Sequence, residues 1–287
     1  MATYTPKSKK ELQELVSNPN VYLGDIDTSN ITDMSKLFAG FKNRTDFSGV
    51  EKWDTSNVEN MSEMFKECEK FNEPIGCWNV SNVKNMSSIF EDCKVFNQPL
   101  ENWDVSNVKN MSKMFAGCYA FNQPLEKWDV SNVENMSGMF SDSNDFNQPL
   151  EKWDVSNVTD MSWMFSGYGA FNQPLEKWDV SNVENMRGMF ERSSSFNQPL
   201  EEWDVSSVLY MDDMFLDCSA FNQPLEGWDV ANVRSMNGMF RCSPFNQSLE
   251  NWEVECGADD MREIFEGTAL EGNEPSWFEQ YEDEDDE

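Results

Sequence analysis

Histidine is absent from this chain of 287 residues, which removes the usual general base, the usual neutral metal ligand and every Ser-His or Cys-His nucleophile pair. Basic residues are scarce as well, with 21 Lys and Arg against 53 Asp and Glu, for a net charge of -32. That charge repels nucleic acid phosphates and anionic lipid at contact distance. The composition therefore argues against most hydrolase designs and against nucleic acid partners, and it favours a basic protein or a metal cation.

Long apolar runs are also missing. The N-terminal stretch MATYTPKSKKELQELV contains no apolar run of the length that a secretory signal or a membrane anchor requires. The 7 cysteines are an odd number in a chain much larger than disulfide-stapled scaffolds, which is typical of reduced thiols. We therefore expect a cytoplasmic protein as encoded, with no membrane insertion and no cofactor.

What the chain does contain is a repeat of 25 residues, of which FNQPLEKWDVSNVENMSGMFSDSND is a typical unit. Tryptophan marks one column of the repeat at Trp53, Trp78, Trp103, Trp128, Trp153, Trp178, Trp203, Trp228 and Trp252. Two phenylalanine columns keep the same step. A constant period over most of the chain predicts a solenoid whose units stack with identical side chains above one another, about 4.8 Å apart.

Within one unit, Val133, Met136, Met139 and Phe140 follow steps that place them on one side of a short helix. Phe121 and Leu125 predict an extended arm, and a bend separates this arm from a second one around Trp128. The predicted fold class is an α/β repeat: a parallel solenoid with one short strand or two extended arms plus a short helix in each coil.

The two ends differ from the repeats. Ser8 followed by Glu11 forms a capping-box pattern before a helix. We expect an N-terminal capping helix and lead-in over residues 1–24, a solenoid of about nine to ten repeats over residues 25–270, and a C-terminal cap and acidic tail over residues 271–287. Trp277, Phe278 and Tyr281 are expected to close the last coil, and residues 282–287 to form a solvated tail.

The recurring FNQPLExWDVSNVxNMSxMF resembles the bacterial surface-protein repeat of about 26 residues, a relative of the BspA-like leucine-rich repeats. The resemblance spans about residues 25–270. It implies a leucine-rich-repeat-like solenoid that is not an enzyme, serves adhesion or protein binding, and is displayed on the cell surface or secreted. The family carries no catalytic residues that could be transferred to this chain.

Two acidic columns are candidate sites. The first is a strip of glutamates that either is a solvated edge or attracts a basic partner or cations. The second column offers oxygen ligands at every coil, but turn formation or helix capping explains it better than calcium does. The strip contains Glu101, Glu126, Glu151, Glu176, Glu201, Glu226 and Glu250, and the weak calcium candidates are Asp104, Asp129, Asp154 and Asp179.

Two further columns have structural interpretations. The asparagines that follow the second phenylalanine column are expected to stack and satisfy buried backbone groups at a corner of the coil. They are Asn72, Asn97, Asn122, Asn147, Asn172, Asn197, Asn222 and Asn246. Cys68, Cys93, Cys118 and Cys218 share a column with serines and Tyr168, which suggests a small half-buried filler.

Positions that vary between units are the informative ones for binding. Ten residues after each tryptophan the residue type changes from coil to coil, and Trp163 at this position breaks the polar pattern. With Tyr168 and Tyr210 nearby, an exposed aromatic would suit a binding hot spot. A locally packed surface aromatic explains Trp163 equally well.

These observations predict a non-enzymatic protein-binding module whose acidic lateral surface engages another protein with a basic or aromatic-accepting surface. One alternative is an acidic mimic or inhibitor that occupies the basic groove of a nucleic-acid-binding protein. Another is a calcium-stabilised structural rod. The oligomeric state and the identity of the partner leave no signature in the sequence.

Overall fold

Each 25-residue unit forms one coil, and each coil lies directly on the next in a computed structural model that describes residues 3–42 and 44–278. Single-residue parallel bridges join one position of every coil to the equivalent position of its neighbour. The bridged residues are Asp33, Asn60, Asn85, Asn110, Asn135, Asp160, Asn185, Tyr210 and Ser235. The tandem repeat is therefore a parallel solenoid with the predicted register.

Regular helices lie outside the repeats or at irregular ends. Within the described residues, the α-helix α1 spans Lys9–Ser17, and three short 3-10 helices span Leu23–Asp25, Val50–Lys52 and Ala258–Asp260. The hydroxyl of Ser8 accepts a hydrogen bond from the Glu11 N–H, and the Glu11 carboxylate accepts one from the Lys7 N–H at 2.8 Å. Leu12 and Val16 of α1 are fully buried, so the helix covers the start of the stack with its apolar side.

The predicted short helix in each coil is wrong. The backbone there forms overlapping β-turns, in which the Met139 N–H donates to the Met136 carbonyl at 3.1 Å. The Gly138 N–H instead donates to the Ser162 carbonyl of the next coil at 2.7 Å. An α-helix would direct every N–H to the carbonyl four residues earlier. The predicted extended arms do not form continuous strands either. Among the described residues, β pairing occurs only as isolated single-residue bridges.

Two positions in each coil hold the left-handed conformation, with φ between 53° and 106°. Such a residue in the third position of a four-residue turn is typical of a type II turn. The first left-handed column is Lys36, Glu63, Ser88, Lys113, Gly138, Trp163, Gly188, Asp213, Gly238 and Glu263. The second left-handed column is Gly40, Glu67, Asp92, Gly117, Asp142, Gly167, Arg192, Asp217, Cys242 and Gly267.

The core is a continuous aromatic stack. The ring centroids of Trp103 and Trp128 lie 6.5 Å apart with nearly parallel planes, and those of Phe115 and Phe140 lie 5.7 Å apart. The Trp128 indole N–H also donates to the Leu100 carbonyl of the preceding coil at 3.0 Å. Because these side chains are almost completely buried, each contributes about 1.5–3 kcal/mol through burial.

The predicted asparagine ladder forms, but the backbone groups that it bonds are exposed or half-buried and not buried. The Asn97 side-chain oxygen accepts hydrogen bonds from the Asn122 backbone N–H at 3.1 Å and from the Gln123 side chain at 2.9 Å, both on the next coil. A second ladder runs through Asn132, whose amide donates to the Ser106 carbonyl at 2.8 Å. On this side of the coil, side chains supply the bonds between neighbours.

The cysteine column is fully buried, so the prediction of a half-buried filler is wrong. The Cys93 thiol donates to the Phe65 carbonyl of the preceding coil at 3.1 Å, and the Ser143 hydroxyl makes the equivalent bond to Phe115. Burial raises the pKa of the Cys68 thiol to about 12. All seven thiols are free, and the small residue type follows from this enclosed, bonded position.

Trp277 continues the tryptophan column at the C-terminal end. Its ring lies 6.3 Å from that of Trp252, its indole N–H donates to the Leu249 carbonyl at 2.8 Å, and Phe278 packs edge-on against Phe265. Tyr281 and the predicted acidic tail of residues 282–287 lie outside the described residues.

Candidate interaction face

Trp163 belongs to the first left-handed column, with φ of 53°, and 45% of its surface is exposed. A bulky aromatic side chain is rare in this backbone conformation. A Cβ atom placed on Gly188 would lie 2.4 Å from Cδ1 and 2.5 Å from Nε1 of the indole. The ring therefore lies along the solenoid axis, directly over the glycine of the next coil.

The same arrangement recurs in both left-handed columns wherever a glycine follows a side chain. A Cβ atom on Gly138 would lie 3.1 Å from Lys113 Cγ, and one on Gly238 would lie 2.6 Å from Asp213 Oδ1. These left-handed side chains lean toward the next coil, so a glycine there leaves them room. From Lys113 onward the first left-handed column alternates with glycine, in the order Lys113, Gly138, Trp163, Gly188, Asp213, Gly238, Glu263, whereas in the coils before Lys113 side chains follow one another directly.

A groove of about 580 Å³ crosses this face diagonally over five coils. Gly117, Gly138 and Ser141 line its middle, while Tyr119 and Trp163 line it from two different coils. We call this feature the turn-face groove; its charged lining residues are Glu91, Asp92, Lys113, Asp142, Asp160 and Arg187. Exposed aromatic rings and carboxylates thus share one concave surface.

Several of these charges are already paired. Glu91 binds Lys66 at 2.8 Å, and the Arg187 guanidinium binds Asp212 at 2.7 Å. Asp160 accepts hydrogen bonds from the backbone and the hydroxyl of Ser162. Burial, reinforced by the neighbouring carboxylates of Glu91 and Glu67, raises the pKa of Asp92.

A similar effect operates next to Trp163. Burial raises the pKa of Glu191, although Arg192 and a hydrogen bond with Trp163 oppose the shift. The carboxylate of Glu191 also lies beside Gly188, 3.3 Å from where a Cβ would stand. The Glu191 carboxylate and the Nε1 edge of the Trp163 indole thus lie together over Gly188.

The three aromatic residues that the sequence singled out do not form one cluster. Trp163 lines the turn-face groove, and Tyr210 is half-buried in the bridged column beneath the Arg187 guanidinium, 4.0 Å from its carbon to the ring centre. Tyr168 is not among the groove residues. It is 62% exposed at the cysteine-column position, and its hydroxyl donates to Asp217 at 3.1 Å.

Tyr168 also interrupts the regular turn. In other coils the cysteine-column N–H donates to the phenylalanine carbonyl three residues earlier, but here the Gly169 N–H donates to the Gly167 carbonyl at 2.8 Å. A tyrosine ring is too large for the enclosed position that Cys118 or Ser143 fills. The local chain is displaced, and the ring lies at the surface.

Sequence reasoning missed Tyr119, which is 43% exposed and lines the groove. Its column otherwise holds Glu69, Lys94, Asn144, Gly169, Ser194 and Ser219. A single aromatic residue among polar equivalents was the available signal, and it is the same kind of signal that pointed to Trp163.

A family model described as "Mycoplasma protein of unknown function, DUF285" matches the chain three times in tandem, over residues 9–124, 98–186 and 164–277. The chain belongs to the DUF285 family. A comparison with curated protein sequences gives no significant match.

Two solved structures are similar to this DUF285 chain at low identity. One is a leucine-rich repeat protein from Bacteroides ovatus ATCC 8483, with 11% identity, coverage of 83% of this chain and 80% of that chain, and a TM-score of 0.25. The other is an internalin from Listeria monocytogenes str. 4b F2365, with 8% identity, coverage of 88% and 83%, and a TM-score of 0.18. TM-scores this low carry no argument about the fold. The evidence for a solenoid is the set of backbone bridges between successive coils of the DUF285 chain itself.

The glutamate strip of this DUF285 protein is partly neutralised by lysines of the following coil. Lys152 binds Glu126 at 3.0 Å, and Lys177 binds Glu151 at 2.7 Å. At the end of the strip, Glu250 accepts a hydrogen bond from the Ser276 hydroxyl at 2.7 Å. Exposed pairs of this kind contribute little stability, and they reduce the charge that the strip presents to a partner.

The aspartates considered as calcium ligands form turns instead. One side-chain oxygen of Asp129 accepts from both the backbone N–H and the hydroxyl of Ser131, and Asp104, Asp154 and Asp179 repeat this pattern. These bonds lower the pKa of Asp129. Within residues 3–42 and 44–278 no group of three or more acidic or cysteine side chains converges as a metal site would, so we propose no calcium site here.

In the same described part of the chain, no helix has the length and apolar character that a bilayer crossing requires.

Proposed function

We propose that this protein is a non-enzymatic interaction module that engages a basic partner protein through its turn face. The observation that carries the proposal is the way in which neighbouring coils are joined. On the turn face backbone-to-backbone bonds join every pair of inner coils, as in Lys113 N–H to the Ser137 carbonyl at 2.7 Å and Gly117 N–H to the Ser141 carbonyl at 2.8 Å, while side-chain pairs such as Arg187 with Asp212 occur at some coils and not at others. Side chains on this face are therefore free to vary.

The chemistry of those free side chains supports a basic protein as the partner. The net charge of -32 favours a positively charged surface. Tyr119 and Trp163 add exposed aromatic area of the kind that dominates protein interfaces. A partner that contacts several coils at once would bury a continuous area, because the varied positions are aligned along the axis.

A capture experiment tests this proposal. Immobilised wild-type chain is exposed to an extract of the source organism, and captured proteins are identified by mass spectrometry beside two double variants. Trp163→Ala with Tyr119→Ala alters the turn face, whereas Glu101→Gln with Glu201→Gln alters the glutamate strip. We expect basic proteins to be captured by the wild type and the strip variant and lost by the turn-face variant.

The opposite result would contradict the proposal. Loss of capture in the strip variant alone would favour the acidic mimic, whose binding depends on the row of glutamates. The salt dependence of binding also distinguishes the turn-face module from the acidic mimic. Binding that depends on exposed charges weakens steeply as salt is added, whereas binding through aromatic contacts changes little.

Display on a cell surface is the compartment that the repeat resemblance implies, and we include it in the proposal as an adhesion role. Labelling of intact cells with a membrane-impermeant biotin reagent tests it. Labelled chain supports surface display, and chain protected until the cells are lysed contradicts it.

A further inference from the structure

We infer that the turn-face groove binds an arginine or lysine side chain of an extended, basic segment of the partner protein, with the cation against the Trp163 indole and the Asp142 carboxylate. This inference rests on the proposed function, and it assigns a ligand chemistry and a site within the turn face. The supporting observations are an exposed ring, an excess of carboxylates and an open shape.

The Trp163 ring is placed to receive a cation. Its Cδ1 and Nε1 edge lies over Gly188, and Glu191 interacts with it, so one side of the ring is fixed against the protein. Since 45% of Trp163 remains exposed, part of its surface faces the groove. Tryptophan is the best of the aromatic residues for cation–π attraction.

The charges of the groove complement such a cation. After the pairing of Glu91 with Lys66 and of Arg187 with Asp212, the lining still holds Asp92, Asp142 and Asp160 against Lys113. Asp142 is exposed in the second left-handed column, and its Oδ1 lies 2.5 Å from where a Cβ on Gly167 would stand. A positive side chain is attracted by this excess of carboxylates, while phosphate groups are repelled.

The shape favours a chain segment over a compact ligand. The groove volume of about 580 Å³ is distributed across five coils, from Asp92 to Arg187. The Asp92 side chain leans over Gly117 and the Lys113 side chain leans over Gly138, so side chains that lie along the solenoid axis form the floor of the groove. An extended peptide follows such a shallow surface and places alternate side chains toward it.

A peptide titration tests the site directly. The probe is the synthetic peptide Gly-Arg-Gly-Arg-Gly-Arg-Gly with a fluorescent label, and the control peptide replaces each arginine with citrulline, which has nearly the same shape and no charge. Binding to the full chain is followed by fluorescence anisotropy at physiological salt. We expect the arginine peptide to bind measurably more tightly than the citrulline peptide.

Variants then locate the bound peptide. Trp163→Ala is expected to weaken binding about tenfold, and Trp163→Phe should retain most of the affinity because a ring remains. Asp142→Asn removes one charge from the groove and keeps a residue that tolerates the left-handed conformation. Its matched control is Glu201→Gln, which removes one charge from the glutamate strip, and we expect a clear loss only for Asp142→Asn.

Three results would overturn the inference. Equal losses for Asp142→Asn and Glu201→Gln, with Trp163→Ala unchanged, would show diffuse attraction to the acidic surface and leave the proposed interaction function standing. If spermidine, a small polyamine, binds the chain as tightly as the arginine peptide does, the ligand of the groove is a free cation and not a peptide segment. If the chain captures basic partners but does not bind the arginine peptide, the groove inference alone is refuted. If the chain neither captures basic partners nor binds the peptide, the proposed function is refuted as well.

Discussion

The two sides of each coil hold the solenoid together by different means. On the ladder side, Trp128, Asn97 and Asn132 join neighbouring coils through side-chain hydrogen bonds. On the turn side, alternate backbone N–H groups such as those of Lys113 and Phe115 donate directly to the next coil. Residue types are therefore constrained where side chains make the bonds, and they vary where the backbone makes them. A binding surface can change on the turn side without loss of the scaffold.

The largest expected effect comes from the same substitution on the two sides. Trp153→Ala removes a buried ring and the indole hydrogen bond to the Leu125 carbonyl at 3.0 Å, so it should lower the free energy of unfolding by about 3–5 kcal/mol. Trp163→Ala removes a ring that is 45% exposed and should change the free energy of unfolding by less than about 1 kcal/mol. Urea unfolding of both variants measures the difference, and similar losses would contradict the two-sided description.

An asparagine pair sharpens the comparison at a polar position. Asn147→Ala deprives the Asn172 backbone N–H and the Gln173 side chain of their acceptor and should cost about 1–2 kcal/mol. Asn144→Ala alters an exposed side chain of the same coil and should stay within about 0.5 kcal/mol. Equal melting temperatures for the two variants would refute the role of the ladder.

Two glycines of the first left-handed column test the contact between a left-handed side chain and the glycine of the next coil. Alanine at either position adopts a left-handed conformation at a cost of about 1–2 kcal/mol. Gly188→Ala also meets the Trp163 ring, whereas Gly138→Ala meets the flexible Lys113 side chain. We expect Gly188→Ala to be the more destabilising by about 1 kcal/mol, and to shift the indole N–H resonance of Trp163. An unchanged resonance would contradict the contact.

The smallest expected effect concerns charge. Because the pKa of Asp92 is raised in the folded state, its stabilising contribution is present at low pH and is lost as the pH rises through the folded-state pKa. Asp92→Asn should therefore increase stability at neutral pH by up to about 0.5 kcal/mol and have less effect in acid. Thermal melts across this pH range measure it.

Asp129 provides the control of opposite sign. Hydrogen bonds from Ser131 lower its pKa, so its stabilising contribution is present above the unfolded-state pKa and is lost as the pH falls. Asp129→Asn should reduce stability slightly at neutral pH. The same direction of change in both variants would show that the turn side and the ladder side do not differ in their electrostatics.

Much of this architecture could be predicted from the sequence because the repeat is so regular. The tryptophan and asparagine columns, the capping box at Ser8 and the turn-forming aspartates follow from period and local chemistry. The short helix was wrongly predicted because overlapping turns give Val133, Met136 and Met139 the same spacing as one face of a helix. Only the backbone bonds to the next coil distinguish the two.

The candidate interaction face was less predictable. Trp163, Asp213 and Lys113 carry no residue-type signal for a left-handed backbone, so the sequence did not predict this conformation. The groove depends on residues from five coils that meet diagonally. Tyr168 lies at the surface as expected, but it is not among the groove residues. Such contacts join different positions of the repeat in different coils, so they do not show as a column in the sequence.

Amide hydrogen exchange in one inner coil tests the central claim most directly. Gly138, Phe140 and Asp142 all donate to the next coil, at 2.7, 2.9 and 2.8 Å, although Phe140 is buried and the Asp142 side chain is exposed. The backbone-joined turn face predicts that all three amides are strongly protected. Protection of Phe140 alone, with Gly138 and Asp142 exchanging as fast as an unstructured peptide, would contradict it.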